Sequence, residues 1–305
     1  MQVKILGSAA GGGFPQWNCG CANCAALRGG KFPGKPRLQT QVAVSSDGQC
    51  WFLLGASPDL RLQIDSCREL HPRQGTRSSP ITGIVLVSAD LDQVLGLLVL
   101  RELQPFQVWA AGGVIELLRS KNSMFGMLNR IDEQVRWNVM RGGEDFLLTS
   151  VAGKRSGIMC RGVNLSSRYP SYAHAVPNSD DAVLGLIVMS STGKTLGFFP
   201  QLPHLAPEFK DLFATLDCLL LDGTFWSEDE LIRVQGSGQG ACEMGHVPVG
   251  GKDGSLRQLA GLTKVRKMYI HINNTNPMLN EAGPEYREVR DAGWELAEDG
   301  CHLSL

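Results

Sequence analysis

The sequence predicts an α/β protein, a single domain over residues 1–305 with helices outside two packed sheets. Three observations predict it. Short apolar segments recur between Gly, Pro, Asp and Ser along the chain. Single helical stretches alternate with them. Ser191-Thr-Gly-Lys194 reads as a hairpin turn, which makes the sheets mixed.

The first strand expected is Val3-Lys-Ile-Leu6, which runs into the glycine-rich loop Gly7-Ser-Ala-Ala-Gly-Gly-Gly13. Runs rich in apolar, β-branched and aromatic residues place further strands at Gln41–Ser45, Trp51–Leu54, Gly83–Val87, Phe106–Trp109 and Asp145–Leu148. Val183–Met189, Thr195–Phe199, Cys218–Leu221, Lys267–Ile270 and Cys301–Leu305 complete the set. Helical spacing appears at Leu95/Leu98, Val114/Leu117/Leu118, Phe209/Leu212/Phe213, Leu256/Leu259/Leu262 and Tyr286/Val289. Arg73–Pro80 and Ser166–Asp181 are polar and turn-rich, and are read as loops.

Composition removes several function classes. With 29 basic and 30 acidic side chains the net charge is −1, so a charge-driven nucleic-acid binder is excluded. The 43% of hydrophobic residues excludes disorder, and no run approaches the ~18 apolar residues of a membrane helix. The start of the chain shows no export signal, so a soluble protein of the cytoplasm is expected, with no nucleic-acid or membrane partner.

Nine cysteines outnumber six histidines. In a reducing compartment they are free or metal-bound thiols. Cys50, Cys67, Cys160, Cys218, Cys242 and Cys301 are scattered and read as packing residues. Cys19, Cys21 and Cys24 differ, because they lie within six residues and Gly20 permits a tight turn between them. Three such thiolates point to a structural Zn²⁺ whose fourth ligand comes from elsewhere. The glycine-rich loop could suggest a phosphate cradle, but no Gly-Lys-Ser/Thr follows and no helix-forming segment is expected directly after it.

Three strand ends carry chemistry. Asp90 and Asp92, with Gln93, follow Gly83–Val87; the bland alternative is that one of the acids caps a helix at Val94–Arg101. Asp222 ends Cys218–Leu221, within Asp222-Gly-Thr224. His271 follows Lys267–Ile270 and precedes three Asn, and His246 stands in a loop before a helix. His71, His174, His204 and His302 read as surface residues. The donors are oxygen-rich, which suits Fe²⁺ or Mn²⁺ better than Zn²⁺.

The order of elements resembles the metallo-β-lactamase fold, an αββα sandwich. Gly7–Cys19 with Cys21 and Cys24, Ala56-Ser-Pro-Asp-Leu-Arg61, Asp92 with Gly96-Leu-Leu, Leu221–Thr224, Glu243-Met-Gly-His246 and His271–Pro277 are similar to the pyrroloquinoline quinone (PQQ) biosynthesis protein B family, from end to end. Where that fold carries a His-x-His-x-Asp-His cluster, this chain keeps Asp92 alone, with Ser88, Asp90 and Gln93 in place of histidines. It also has Phe199-Pro200-Gln201 where the fold's metal-bridging Asp usually stands, so a two-metal zinc hydrolase is not expected.

The resemblance implies a role in PQQ biosynthesis, an iron-dependent hydroxylation of the tyrosine-derived part of a Glu–Tyr precursor. In it Asp92 and His271 hold Fe²⁺, Asp90 and Gln93 complete or flank the sphere, and Asp222 and His246 orient substrate or move protons. The alternative is a carrier of PQQ or its precursor towards the periplasm, which needs no complete metal site. Arg61 is a candidate contact for the anionic quinone, and the resemblance admits a homodimer. Relatives with the same cysteine knuckle place a His three residues after the late metal His. Here that position is Asn274, so either Asn274 or a turned His271 completes the zinc.

Overall fold

The computed structural model describes residues 1–173 and 176–305, so His174 lies outside the described residues. The strands form two mixed sheets, with helices joining some strands and direct turns joining others, which is the α/β class predicted. The chain divides into two compact units: Met1–Gly7, Gln41–Thr195 and Gly300–Leu305 make the first, Ser8–Thr40 and Leu196–Asp299 the second.

In the first unit the outermost strands of the chain, β1 (Gln2–Gly7) and β14 (His302–Ser304), pair antiparallel. β1 pairs antiparallel with β2 (Gln41–Ser45), and β2 with β3 (Trp51–Leu54). β4 (Ile81–Val85), β5 (Phe106–Ala110) and β6 (Val135–Val139) extend that sheet in parallel. β2, β3 and β5 are buried along their whole length, as their unbroken apolar runs require. Beyond them β7 (Asp145–Thr149), β8 (Arg155–Ser166) and β9 (Val183–Ser190) form an antiparallel meander. The turn expected at Ser191–Lys194 closes with the Ser190 N–H donating to the Lys194 carbonyl at 2.9 Å.

α4 (Gly112–Ser120) stands where the periodicity places it and buries Val114, Leu117 and Leu118, whereas α2 (Leu60–Ser66), after β3, is not marked by the spacing. The helix expected at Val94–Arg101 differs. A short α3 (Leu91–Val94) starts earlier and tightens into a 3₁₀ segment, Leu95–Leu100. The backbone crowds this junction, because a Cβ on Gly96 would stand 2.3 Å from the Ser57 carbonyl oxygen. A Gly96→Ala variant is therefore expected to lose about 1–3 kcal/mol of stability in urea unfolding, the usual cost of forced overpacking. An unchanged midpoint would show that the backbone yields there.

The second unit is built on four parallel strands, β10 (Thr195–Phe199), β11 (Cys218–Asp222), β12 (Arg266–Ile270) and β13 (Trp294–Leu296). Crossovers through α5 (Pro207–Ala214), α6 (Glu230–Gln235), α7 (Ser255–Gln258) and α8 (Pro284–Asp291) make that parallel pairing possible. Phe199 meets Phe213 of α5 edge-on at 4.9 Å, and Tyr269 stacks on Trp294 at 4.2 Å. Contrary to expectation, a helix does follow the glycine-rich loop. α1 (Ala22–Arg28) begins right after Cys21, whose sulfur accepts the Cys24 N–H and so caps it.

Candidate metal centres

The second unit brings together two clusters at the exit of β12. Between them runs the loop His271–Asn276, pinned from several sides. The Ile272 N–H donates to the Ser8 carbonyl, and the Ala10 N–H donates to the Ile272 carbonyl, both at 2.9 Å. The glycine-rich loop thus packs its backbone against this segment. His271 itself has φ 59°, a left-handed conformation that costs a non-glycine residue roughly 1 kcal/mol or more.

The first cluster is the cysteine knuckle. The side-chain amide of Asn274, a residue only 3% exposed, reaches into the three sulfurs, with Nδ2 3.2 Å from Cys19 Sγ, 3.6 Å from Cys21 Sγ and 3.4 Å from Cys24 Sγ. Turning the amide by half a revolution puts Oδ1 at the same point and moves no other atom. The position therefore serves either as a donor to thiols or as an oxygen ligand to a cation. Asn23, on α1, donates to the Asn274 and Asn276 carbonyls at 3.1 Å each, and the Arg28 guanidinium donates to the carbonyls of Cys19 and Gln16.

Ionisation in this cluster is uneven. Burial pushes the Cys24 thiol up to about 11, helped by its Cys21 and Cys19 neighbours. For Cys19 burial also pushes upward, but the Cys21 N–H, the two other thiols and the Asn274 amide outweigh it and hold the thiol below its usual range. Without a cation such a nest favours one thiolate, so three thiolates call for a cation among them. The donor set fits zinc.

The second cluster is Asp222, Thr224, His246 and His271, all at least nine-tenths buried. The ligand atoms of Asp222, His246 and His271 lie within 4.8 Å of one another. His246 Nδ1 lies 2.8 Å from Asp222 Oδ2, and the two imidazoles stack at 5.4 Å. Asp222 also accepts the Leu202 N–H at 2.8 Å and the Thr224 N–H at 3.0 Å. The loop carrying His246 therefore folds inward, beside Asp222 and His271.

In the first unit, the Ser88 hydroxyl donates to Asp90 at 2.7 Å; Asp90 stands at the head of α3 without a side-chain capping bond. Gln93 is 4% exposed, and its Nε2 reaches Asp92 Oδ2 at 3.4 Å. Among the described residues no group hydrogen-bonds its Oε1, a buried carbonyl oxygen that a nearby cation would satisfy. Arg61 lies on the exposed side of α2, paired with Asp65 at 3.4 Å. His204 and His302 are exposed as expected, whereas His71 is half-buried and its ring lies 3.1 Å from the Asp65 carbonyl.

Two contributors escape the sequence reading. Thr224, at the centre of the histidine cluster, is one. The other is Glu230, whose carboxyl accepts the Thr275 hydroxyl at 2.5 Å and the Trp226 N–H at 2.6 Å. It holds the loop at Thr275, between the two carbonyls that Asn23 holds. Its neighbours Glu228 and Asp229 make it look like one more solvated acid, and nothing in the sequence flags its burial. Burial pushes this carboxyl up to about 7. The folded state thus holds a proton that the unfolded chain releases near 4.3. Its stabilising contribution is complete below that value and is lost as pH rises towards 7. Between pH 5 and 8, wild type is expected to lose on the order of 3 kcal/mol relative to Glu230→Gln, read from urea midpoints. Parallel pH profiles for the two proteins would contradict this.

Two mixed sheets on an α/β scaffold, carrying a two-histidine carboxylate cluster and a sulfur knuckle, are those of a metallo-β-lactamase-type protein. The β-lactamase superfamily domain model matches residues 50–272, and that fold is the one this chain has. The relatives are more specific. The coenzyme PQQ synthesis protein B of Methylococcus capsulatus is 38% identical and that of Azotobacter vinelandii 39%, each match covering 100% of both chains. The crystal structure of Zn²⁺-bound PqqB from Methylobacterium extorquens superimposes with a TM-score of 0.91 at 36% identity, again over 100% of both chains. The chain belongs to the coenzyme PQQ synthesis protein B family. Among the described residues no helix is long and apolar enough to cross a membrane.

Proposed function

We propose that this chain acts in PQQ biosynthesis as an iron-dependent hydroxylase of the tyrosine-derived part of the Glu–Tyr precursor. One observation carries the reading. The buried Asp222–His246–His271 group supplies two imidazoles and a carboxylate within 4.8 Å, the donor class of non-haem Fe²⁺ oxygenases. His271 would hold the ion; Asp92 and the orphaned Gln93 oxygen beside it, in the first unit, are donors suited to a cation. Bound there, iron would supply the activation of dioxygen that hydroxylation of an aromatic ring requires. His246, oriented by Asp222, exchanges a proton at its second ring nitrogen with substrate. Cys19, Cys21, Cys24 and the Asn274 oxygen would hold a separate, structural Zn²⁺.

A second reading is favoured by Gln93, an amide where the fold's cluster has an imidazole. A carrier of PQQ or its precursor towards the periplasm needs no ion at Asp92. Anaerobic Fe²⁺ titration of the zinc-loaded protein separates the two. The hydroxylase requires Fe²⁺ binding that weakens by at least ~10-fold in His271→Ala. Absence of Fe²⁺ binding together with tight retention of quinone would make the protein a carrier.

A further inference from the structure

The Thr224 hydroxyl stands at the centre of the histidine cluster. Its oxygen lies 2.7 Å from Asp222 Oδ1, 2.9 Å from the His271 carbonyl oxygen, 2.8 Å from His271 Nδ1 and 3.1 Å from His246 Nδ1. A hydroxyl has one proton to give and two lone pairs with which to accept. Two of its four neighbours, a carboxylate oxygen and a carbonyl oxygen, can only accept. If the proton went to an imidazole instead, three oxygens would face one another lone pair to lone pair in a buried site, at 2.7 and 2.9 Å. Asp222 also accepts the backbone N–H groups of Leu202 and Thr224, one on each oxygen, the pattern of an acceptor on both sides. The hydroxyl proton therefore goes to an oxygen, and His271 Nδ1 has to be the donor to Thr224. By the same reasoning His246 Nδ1 donates to Asp222 Oδ2.

We infer that Thr224 is a positioning residue that relays the acceptor strength of Asp222 to His271, fixing the proton of His271 on Nδ1 and leaving a lone pair on Nε2 for a divalent cation. The metal clause rests on the proposed function, whereas the tautomer does not. A second support is the backbone. His271 is held in a left-handed conformation in which its own carbonyl also meets the Thr224 hydroxyl, so one side chain fixes both the ring and the strained residue that bears it. Such outer partners set the tautomer and basicity of a ligating histidine.

Nitrogen-15 NMR of the histidine rings tests the relay on the zinc-loaded protein at about pH 8.5, where ordinary imidazoles are neutral. His246→Ala and His271→Ala spectra assign the two rings. Wild-type His271 is expected to show a protonated, pyrrole-like Nδ1. Thr224→Val removes the hydroxyl and keeps the shape, and should move the His271 proton to Nε2, while Thr224→Ser should restore Nδ1–H. Fe²⁺ affinity is expected to fall by ~10–100-fold in Thr224→Val and to recover in Thr224→Ser. A pyridine-like Nδ1 in wild type overturns the relay even if no variant folds, and so does an Nδ1–H that persists in Thr224→Val. An Nδ1–H that behaves as expected, with Fe²⁺ binding unaffected in His271→Ala, would leave the relay standing and remove the metal reading alone.

Discussion

Wild-type protein is expected to purify with one zinc ion, and a Cys24→Ser variant with none. Cys24 is fully buried, and its thiol is the one held highest at about 11, so its ionisation depends most on a cation. A serine hydroxyl at the same place remains neutral and is a poor zinc ligand. The stability lost with the ion is expected to be large, because a zinc held by the three cysteines and Asn274 would tie α1 to the loop after β12. Structural zinc contributes about 10–16 kcal/mol in small finger peptides. Here Asn23 retains part of the connection through the Asn274 and Asn276 carbonyls, so a loss on the order of 3–5 kcal/mol and a melting point lower by about 10 °C are expected. Metal analysis with thermal melting checks this, and stripping wild type with a chelator should reproduce the variant's curve. A wild-type preparation free of zinc, or a variant that keeps it, would sink the zinc assignment. Cys160, buried in β8 away from other thiols, serves as the control whose replacement leaves zinc content unchanged.

Asp222→Ala is expected to be the most damaging single change in the histidine cluster. The carboxylate accepts from the Leu202 and Thr224 N–H groups, the Thr224 hydroxyl and the His246 ring. Deleting it strands four buried donors, each costing about 1–3 kcal/mol when left unmade, less than additively when they share one site. A total near 3–5 kcal/mol follows, against the ~5–15 kcal/mol that holds a typical domain together. Asp222→Asn keeps the shape but turns one acceptor into a donor facing donors, so about half that loss is expected. Urea unfolding measures both. An Asp222→Ala protein as stable as wild type would mean that water replaces the carboxylate.

The parts of this molecule that are legible in the sequence are those whose chemistry is local. β2, β3 and β10 appear with the bounds expected, because each is a compact apolar run between turn residues. The cysteine spacing alone announces a cluster, since three thiols within six residues have little room to part. β6, β8 and β13 escape for identifiable reasons. β6 is half-exposed, with Arg136 and Asn138 in its middle; β8 is interrupted by Gly157 and Gly162, and β13 is three residues long. At the site, Asp222, His246 and His271 can each be marked as a strand-end or loop residue. Their meeting depends on the register of β11 against β12, which no single segment encodes. Thr224 is visible only as part of Asp-Gly-Thr. Its role needs the third dimension, since three of its four partners sit between 22 and 47 residues away or across the loop. Glu230 is hidden by its neighbours, because a run of acids reads as solvent-facing until one of them is seen turned inward.

The left-handed backbone at His271 sets two demands on one residue against each other. Glycine is the residue that conformation suits best, so exchanging this imidazole for a hydrogen atom would relieve the backbone. This chain keeps histidine there against the pull of the backbone. The backbone relief that glycine would bring there is set against the loss of the buried ring's bond to Thr224 and its stacking on His246.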